Sequence, residues 1–245
     1  MAADIPTNLL YFGDNLTWLR EHGKFPDESV DLVYLDPPFN SNRSYNVLFK
    51  DESGYESEAQ ITAFDDTWHW GHTAEATWRD LVTGAPERVA TAIGALRELI
   101  GTNQMMAYLV MMAARLVELH RVLKPTGSLY LHCDPTASHY LKIVLDTIFG
   151  PENYRNEIIW KRTSAHSDTK QGNVTHMGRI HDVILFYTKS ARTFCGVIFA
   201  CASCAVDVCC RIRSLVDTNC SLAISASSIR LFVASVLVIE MVRLD

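Results

Sequence analysis

The residues best suited to chemistry follow one another directly: Asp36, Pro37, Pro38 and Phe39, placed after the apolar run 30–35. Such a run predicts a buried strand of a parallel sheet, and ligands of open α/β sheets bind just beyond the carboxyl ends of their strands. Two successive prolines predict a rigid turn whose carbonyls point outward. The Asp36 carboxylate and the Pro37 carbonyl can both accept hydrogen bonds from one amino group, while Phe39 offers a face for stacking. These residue types therefore indicate a site for a planar heterocycle that carries an exocyclic amino group.

Together with Asn40, these four residues resemble the catalytic motif of the amino-methylating DNA methyltransferases, which act on adenine N6 or cytosine N4. Further blocks resemble other parts of the same family pattern and occur in the family's order. Five ordered blocks are far more specific than an isolated Asp-Pro-Pro. The other four blocks are residues 9–16, 122–132, 156–161 and 181–190 of the 245-residue chain.

This resemblance implies an S-adenosylmethionine-dependent methyltransferase that acts on adenine N6 in a specific sequence of double-stranded DNA. The target base would leave the helix, donate from its amino group to Asp36 and the Pro37 carbonyl, and stack on Phe39. Positioning then supplies much of the acceleration without a covalent intermediate, so Cys133 is interpreted as a core residue. Asp36 in place of serine at the start of the motif favours adenine, and cytosine N4 is the alternative target.

Alternating strand and helix patterns predict an α/β fold, a Rossmann-like and mainly parallel sheet with helices on both faces. Residues 40–77 show no clear periodicity, and a loop of that length is usually functional or disordered. The predicted strands cover 9–12, 30–35, 128–132, 156–161 and 181–190, with a turn at 124–127. The predicted helices begin near residues 16 and 78 and cover 87–99, 105–122 and 135–149.

The family binds its cofactor at a Gly-rich turn, because the cofactor approaches the backbone closely there. In the subclass whose catalytic motif comes first, that turn lies downstream, yet residues 197–245 contain no glycine. We therefore expect an incomplete sheet that lacks the cofactor-binding strand, exposes an apolar edge and does not methylate DNA unaided. Asp14 is the remaining candidate for cofactor binding, and its alternative role is to cap a helix that starts at Asn15.

A change of composition at residue 190 divides the chain into a catalytic part, 1–190, and an atypical tail, 191–245. Six of the seven cysteines lie between residues 195 and 220. Their spacing fits structural zinc poorly, and a disulfide scaffold conflicts with a cytoplasmic enzyme. Out-of-frame or foreign sequence is the favoured interpretation, because resemblance and composition change together. We expect the tail to be poorly ordered or irregularly packed, and we expect no metal.

The net charge of −6 opposes nucleic-acid binding, but the segment 155–192 carries seven basic residues against three acidic ones. A basic segment on an acidic body predicts a surface for DNA phosphates, with an ordinary solvated loop as the alternative. Two tryptophans in the long loop either contact DNA or the flipped base, or anchor the loop. The candidate DNA-binding residues are Trp68, Trp70, Lys161, Arg162, Lys170 and Arg179.

The amino terminus lacks the features of a signal peptide, and no apolar stretch reaches the length needed to span a membrane. We therefore predict a cytoplasmic protein without a membrane partner. Homodimer and restriction-system subunit are the two assemblies that the family resemblance implies. A non-catalytic DNA-binding fragment is the alternative function, and cofactor binding distinguishes it from an enzyme.

Overall fold

The computed structural model describes residues 9–37, 44–46, 62–65, 69–161, 180–190, 229–234 and 238–244. Strands alternate with helices in part of these ranges, as the sequence predicts, but the last four elements are all strands. The strands are β1 (Leu9–Phe12), β2 (Val30–Leu35), β3 (Ser44–Asn46), β4 (Thr62–Asp65), β5 (Leu123–Cys133), β6 (Tyr154–Lys161), β7 (His181–Thr188), β8 (Ile229–Ala234) and β9 (Val238–Leu244). The helices are α1 (Asn15–Leu19), α2 (His72–Gly84), α3 (Glu87–Ile100), α4 (Gln104–Val122) and α5 (Pro135–Phe149), and a 3-10 turn spans Pro151–Asn153.

Seven of the described strands form one sheet in the order β1-β9-β8-β2-β5-β7-β6, and β3 pairs separately with β4. Strand β2 is parallel to both of its neighbours, β8 and β5. Strand β7 is antiparallel to β5 and β6, and β9 is antiparallel to β1 and β8. It follows that β1, β8, β2, β5 and β6 all run in one direction. The predicted Rossmann-like fold is thus confirmed, with five strands in one direction and two reversed, but the sheet is mixed because four of its six neighbouring pairs are antiparallel.

The strand beside β2 comes from the part of the chain that the sequence analysis set apart as a tail. Strand β8 pairs with β2 from Leu32 opposite Leu231 to Leu35 opposite Ala234. The prediction of an open edge beside β2 is therefore wrong. The prediction that the tail packs irregularly is also wrong for residues 229–234 and 238–244. The physical reason is that apolar, β-branched runs such as these bond the free backbone groups of an edge strand. The cysteines between 195 and 220 lie outside the described residues.

Local chemistry explains where the last two helices begin and end. Helix α4 starts at the Asn103 cap, whose side chain accepts from the Met106 amide at 2.9 Å. Helix α5 starts after Asp134, which accepts from the Ala137 amide at 3.1 Å. It ends at Gly150, whose φ of 89° is a conformation that side chains with a Cβ rarely adopt. The predicted helix over residues 135–149 is confirmed.

The described helices all pack against one face of the sheet through a single hydrophobic core. Helices on both faces were predicted, but in the described ranges the second face carries none. The reason is that right-handed crossovers that progress in one direction along a sheet place their helices on the same side. The second face carries a buried cluster instead, made of Tyr34, Tyr130, Ile184 and Phe186. None of the helices in the described ranges is long and apolar enough to cross a membrane.

Replacing a buried leucine of α4 tests this core. Leu109 is fully buried, so Leu109→Ala should lower the free energy of unfolding by about 2–5 kcal/mol because it leaves a cavity. The matched control is Leu99→Ala in α3, where the side chain is 75% exposed and a change within about 0.5 kcal/mol is expected. Urea denaturation followed by circular dichroism measures both, and equal losses would contradict the assigned core.

Candidate active site

The predicted catalytic acid lies at the carboxyl end of the central strand β2. Asp36 and Pro37 follow that strand directly, and Leu35 pairs with Leu131 of β5. The parallel register therefore brings Asp36 to the level of His132 on the neighbouring strand. Pro37 is buried, whereas 45% of the Asp36 side chain is exposed. Pro38 and Phe39 lie outside the described residues.

A row of three polar side chains crosses the end of the sheet. The Nδ1 atom of His132 lies 3.1 Å from Oδ1 of Asp36, and its Nε2 atom lies 3.5 Å from Oδ2 of Asp182. These residues belong to or directly follow three adjacent strands, β2, β5 and β7. His132 and Asp182 are buried. In the described part of the chain, no group of histidines, cysteines and acids could hold a metal ion.

The polar row continues the aromatic face of the sheet. Side chains two positions apart on a strand point to the same face, so Asp36 follows Tyr34 and His132 follows Tyr130. Beneath the row, the rings of Tyr130 and Phe186 stack in parallel with their centroids 4.5 Å apart. The end of the sheet therefore places a partly exposed carboxylate beside a buried aromatic cluster, and that carboxylate can accept hydrogen bonds from a donor at the surface.

Sequence reasoning did not identify His132 and Asp182 as site residues. The signal that could have found them is their position, because each is a polar residue directly beside the apolar run of its strand. Their side chains also lie on the same face of the sheet as the aromatic residues Tyr130 and Phe186 of the same strands. The pairing between β5 and β7, which brings them together, cannot be derived from local periodicity.

Asp14, the cofactor candidate, lies after β1 and caps α1. Its Oδ1 atom accepts from the Leu16 amide at 2.8 Å, so the alternative role as a helix cap is confirmed. The same oxygen accepts at 2.7 Å from the buried Arg115, which also donates to Asn15. Burial lowers the pKa of the Arg115 guanidinium, and the charge of Asp14 opposes that shift. Cofactor binding by Asp14 stays a prediction.

At the same edge of the sheet, Asp14 and Asp36 are well separated. Strands β9 and β8 lie between β1 and β2. Three strand spacings correspond to about 14 Å. A ligand that contacted both acids would therefore have to extend across the ends of two strands.

The candidate DNA-binding residues are only partly described. Trp70 is half-buried, and the Arg97 guanidinium lies 4.8 Å from the centre of its ring and 4.0 Å from that of Trp78. Arg97 also pairs with Glu75 at 3.0 Å, an arrangement that fits the interpretation of Trp70 as a loop anchor. Lys161 is exposed at the end of β6. Trp68, Arg162, Lys170 and Arg179 lie outside the described residues, and contact with DNA stays a prediction for all six.

Cys133 ends β5 beside the polar row but is buried in the core. Burial raises the pKa of its thiol, and the neighbouring acids Asp134 and Asp182 raise it further. A thiol in this state is a poor nucleophile. The interpretation of Cys133 as a core residue is confirmed.

Substitutions at Asp14 should distinguish its role as a helix cap from its role as the charged partner of Arg115. Asp14→Ala removes the cap and leaves the buried Arg115 without its charged partner, so we expect a loss of about 1–3 kcal/mol in unfolding free energy. Asp14→Asn keeps a side-chain acceptor for the amide and should lose less. Urea denaturation measures both, and equal losses for the two variants would contradict the role of the cap.

Alkylation should show that Cys133 is shielded. At mildly alkaline pH, iodoacetamide should modify Cys133 slowly in the folded chain and rapidly in urea, because the folded thiol is buried and protonated. Mass spectrometry of the tryptic peptides distinguishes Cys133 from the cysteines of the tail. Rapid modification of Cys133 in the folded chain would contradict this account.

Comparisons with known proteins show the family to which the chain belongs. The N6/N4 methyltransferase family described as "DNA methylase" matches residues 30–206. The chain is 28% identical over 185 residues to the type III restriction-modification enzyme StyLTI Mod subunit of Salmonella typhimurium, covering 76% of this chain and 24% of that protein. It is 33% identical over 188 residues to the type II methyltransferase M.EcaI of Enterobacter cloacae, covering 76% of this chain and 30% of that protein.

A solved structure named PvuII DNA methyltransferase (cytosine-N4-specific) aligns with a TM-score of 0.43 at 14% identity, covering 76% of this chain and 52% of that chain. The chain spans about a quarter of the Salmonella protein and under a third of the Enterobacter protein. The family match covers more than half of this chain. The chain therefore belongs to the DNA methylase family of amino-methylating methyltransferases.

Proposed function

We propose that the chain is the catalytic part of an S-adenosylmethionine-dependent DNA methyltransferase that modifies adenine N6 in a specific sequence. The observation that carries this proposal is the partly exposed Asp36 carboxylate, which follows β2 and is flanked by Pro37 and His132. Membership of the family supplies the reaction class. Asp36 at the start of the motif favours adenine over cytosine N4.

The chain's own residues hold the base. The amino group of a flipped adenine donates to Asp36 and to the Pro37 carbonyl, and Phe39 stacks on the ring. These contacts fix the amino nitrogen with its lone pair directed at the methyl donor. The nitrogen gives up one proton on methylation, and Asp36 is the nearest acceptor for it. When bound, the cofactor supplies an electrophilic methyl group on a sulfonium.

The described residues do not form a complete cofactor cradle. Strand β8 occupies the position beside β2, and residues 235–237 connect it to the antiparallel β9. A cofactor that lies against the backbone at such a turn requires glycine, and residues 197–245 contain none. Asp14 is the one proposed cofactor contact. The methyl donor therefore does not fit the chain as it stands, and methylation requires residues from elsewhere.

We propose that the protein is cytoplasmic and that its partner is DNA. The exposed Lys161 and the basic residues that follow it would contact DNA phosphates. Trp68 and Trp70 would contact the DNA from the long loop. The Salmonella relative is named as a Mod subunit of a type III restriction-modification enzyme. We propose a restriction-system subunit or a homodimer as the assembly, with 1–190 as catalytic part and 191–245 as an out-of-frame or foreign tail.

A second candidate function is a non-catalytic fragment that binds DNA. The missing glycine turn and the short coverage of the relatives favour it for the isolated chain. Both candidates share the fold and the basic segment, so DNA binding does not distinguish them. Binding of the cofactor does.

The role of Asp36 can be tested in a fusion of residues 1–190 to the remaining carboxyl-terminal part of the Enterobacter cloacae relative. Asp36→Ala should lower methyl transfer to genomic DNA by at least about 100-fold, because it removes a positioned acceptor. The matched control is Asp31→Ala on the same strand, whose carboxylate pairs with Lys124 instead. Incorporation of labelled methyl groups measures turnover, and near-normal transfer by Asp36→Ala would contradict the assignment.

Calorimetric titration of the full chain with S-adenosylmethionine tests the missing cradle. We expect no detectable heat of binding at micromolar concentrations, because the methionine part of the cofactor has no glycine turn to lie against. The fusion described above is the matched control and should bind. Micromolar affinity of the unfused chain would contradict this expectation and indicate a replacement for the turn.

A further inference from the structure

In the described part of the chain, three acids follow strands of the seven-stranded sheet, and two of them are used by the fold. Asp14 caps α1 and pairs with Arg115. Asp134 caps α5, accepting from the Ala137 amide at 3.1 Å and the Thr136 hydroxyl at 2.7 Å. Asp36 caps no described helix and contacts His132 instead. The fold thus gives Asp36 a partner of a different kind from the other two.

That partner is itself held from the far side. His132 faces Asp36 through Nδ1 at 3.1 Å and Asp182 through Nε2 at 3.5 Å. Both contacts are within ion-pair distance, and both ring nitrogens of an imidazole are donors when the ring is protonated, so the two carboxylates restrain the ring from opposite sides. Burying a histidine and a carboxylate in a sheet is unfavourable unless they are paired. The aromatic face beneath them gives no packing reason for this polar pair.

The contact leaves part of Asp36 accessible. His132 approaches one carboxylate oxygen, Oδ1, while 45% of the Asp36 side chain is exposed. A carboxylate whose torsion is fixed from behind presents its remaining lone pairs in one direction. Those lone pairs accept from an amino group and repel a carbonyl oxygen, so the same geometry favours adenine or cytosine over guanine O6 or thymine O4.

We propose that His132 is a positioning residue, fixed by Asp182, that orients the Asp36 carboxylate toward the exocyclic amino group of the base. The proposal rests on the proposed function, because it assigns a purpose to the orientation of Asp36. His132 does not touch the base; it acts through Asp36. Asp182 acts one step further away, through the imidazole ring.

The contact itself is tested by nitrogen-15 NMR of the histidine rings in the full chain. The chain has nine histidines, and His132→Asn assigns the His132 signals by their loss. We expect a proton on Nδ1 of His132 that exchanges slowly with water and becomes fast-exchanging in Asp36→Ala. A His132 ring without a proton on Nδ1, or one whose signals ignore Asp36→Ala, would overturn the proposal.

The function of the contact is tested with two matched variants of the full chain. When asparagine replaces a histidine, its side-chain amide nitrogen lies where the ring has Nδ1. When glutamine replaces it, the amide nitrogen lies where the ring has Nε2. His132→Asn therefore keeps a donor for Asp36, whereas His132→Gln keeps only the donor for Asp182. The probe is 9-methyladenine, titrated by NMR, with 6-dimethylamino-9-methylpurine as the control that lacks amino protons.

We expect 9-methyladenine to bind wild type and His132→Asn with similar, weak affinity. His132→Gln should bind about tenfold more weakly, the loss typical of one hydrogen bond to a charged group. The dimethylamino probe should bind all three equally poorly. Equal affinity of the asparagine and glutamine variants would overturn the proposal while leaving the base site intact. If neither probe binds wild type, the proposed base site fails, and the ring spectrum decides separately whether His132 contacts Asp36.

Discussion

The parallel pairing of β2 with β8 and β5 is the constraint on which the rest of this structure depends. Parallel strands end at the same edge of a sheet, so the residue after β2 and the last residues of β5 must meet. That edge is where Asp36 finds His132. A shift of β2 by one residue would turn Asp36 to the helical face and place Leu35 in the polar row. The register is thus as important to the site as the identity of its residues.

The two faces of the sheet hold that register in different ways. On one face, buried residues of β2 and β5 pack against α4, which is apolar nearly all round. On the other, the stacked rings of Tyr130 and Phe186 fix β5 against β7. Because both faces are buried, a slip of one residue would carry polar side chains of the strand into the helical core. The polar row lies where the apolar packing ends.

Local patterns in the sequence predict much of this fold but few of its long-range pairings. Helix α5 matches its prediction because Asp134 and Gly150 are strong end signals. Strand β5 starts at Leu123 and not after the predicted turn at 124–127, because Leu123 pairs with Val30 before the register shifts. The pairing of β3 with β4 and the insertion of β8 beside β2 join segments far apart in sequence. Periodicity carries no information on such partners, which is also why His132 and Asp182 were missed.

The central claim is that Asp36 holds an exocyclic amino group of adenine for methylation. The most direct test is mass spectrometry of nucleosides from DNA treated with the fusion of residues 1–190 to the Enterobacter relative's carboxyl-terminal part. This account predicts N6-methyladenine as the product. N4-methylcytosine would contradict the assignment to adenine. 5-Methylcytosine would contradict the claim itself, because that product requires attack on ring carbon, and Cys133 is buried in the core, where burial raises the pKa of its thiol.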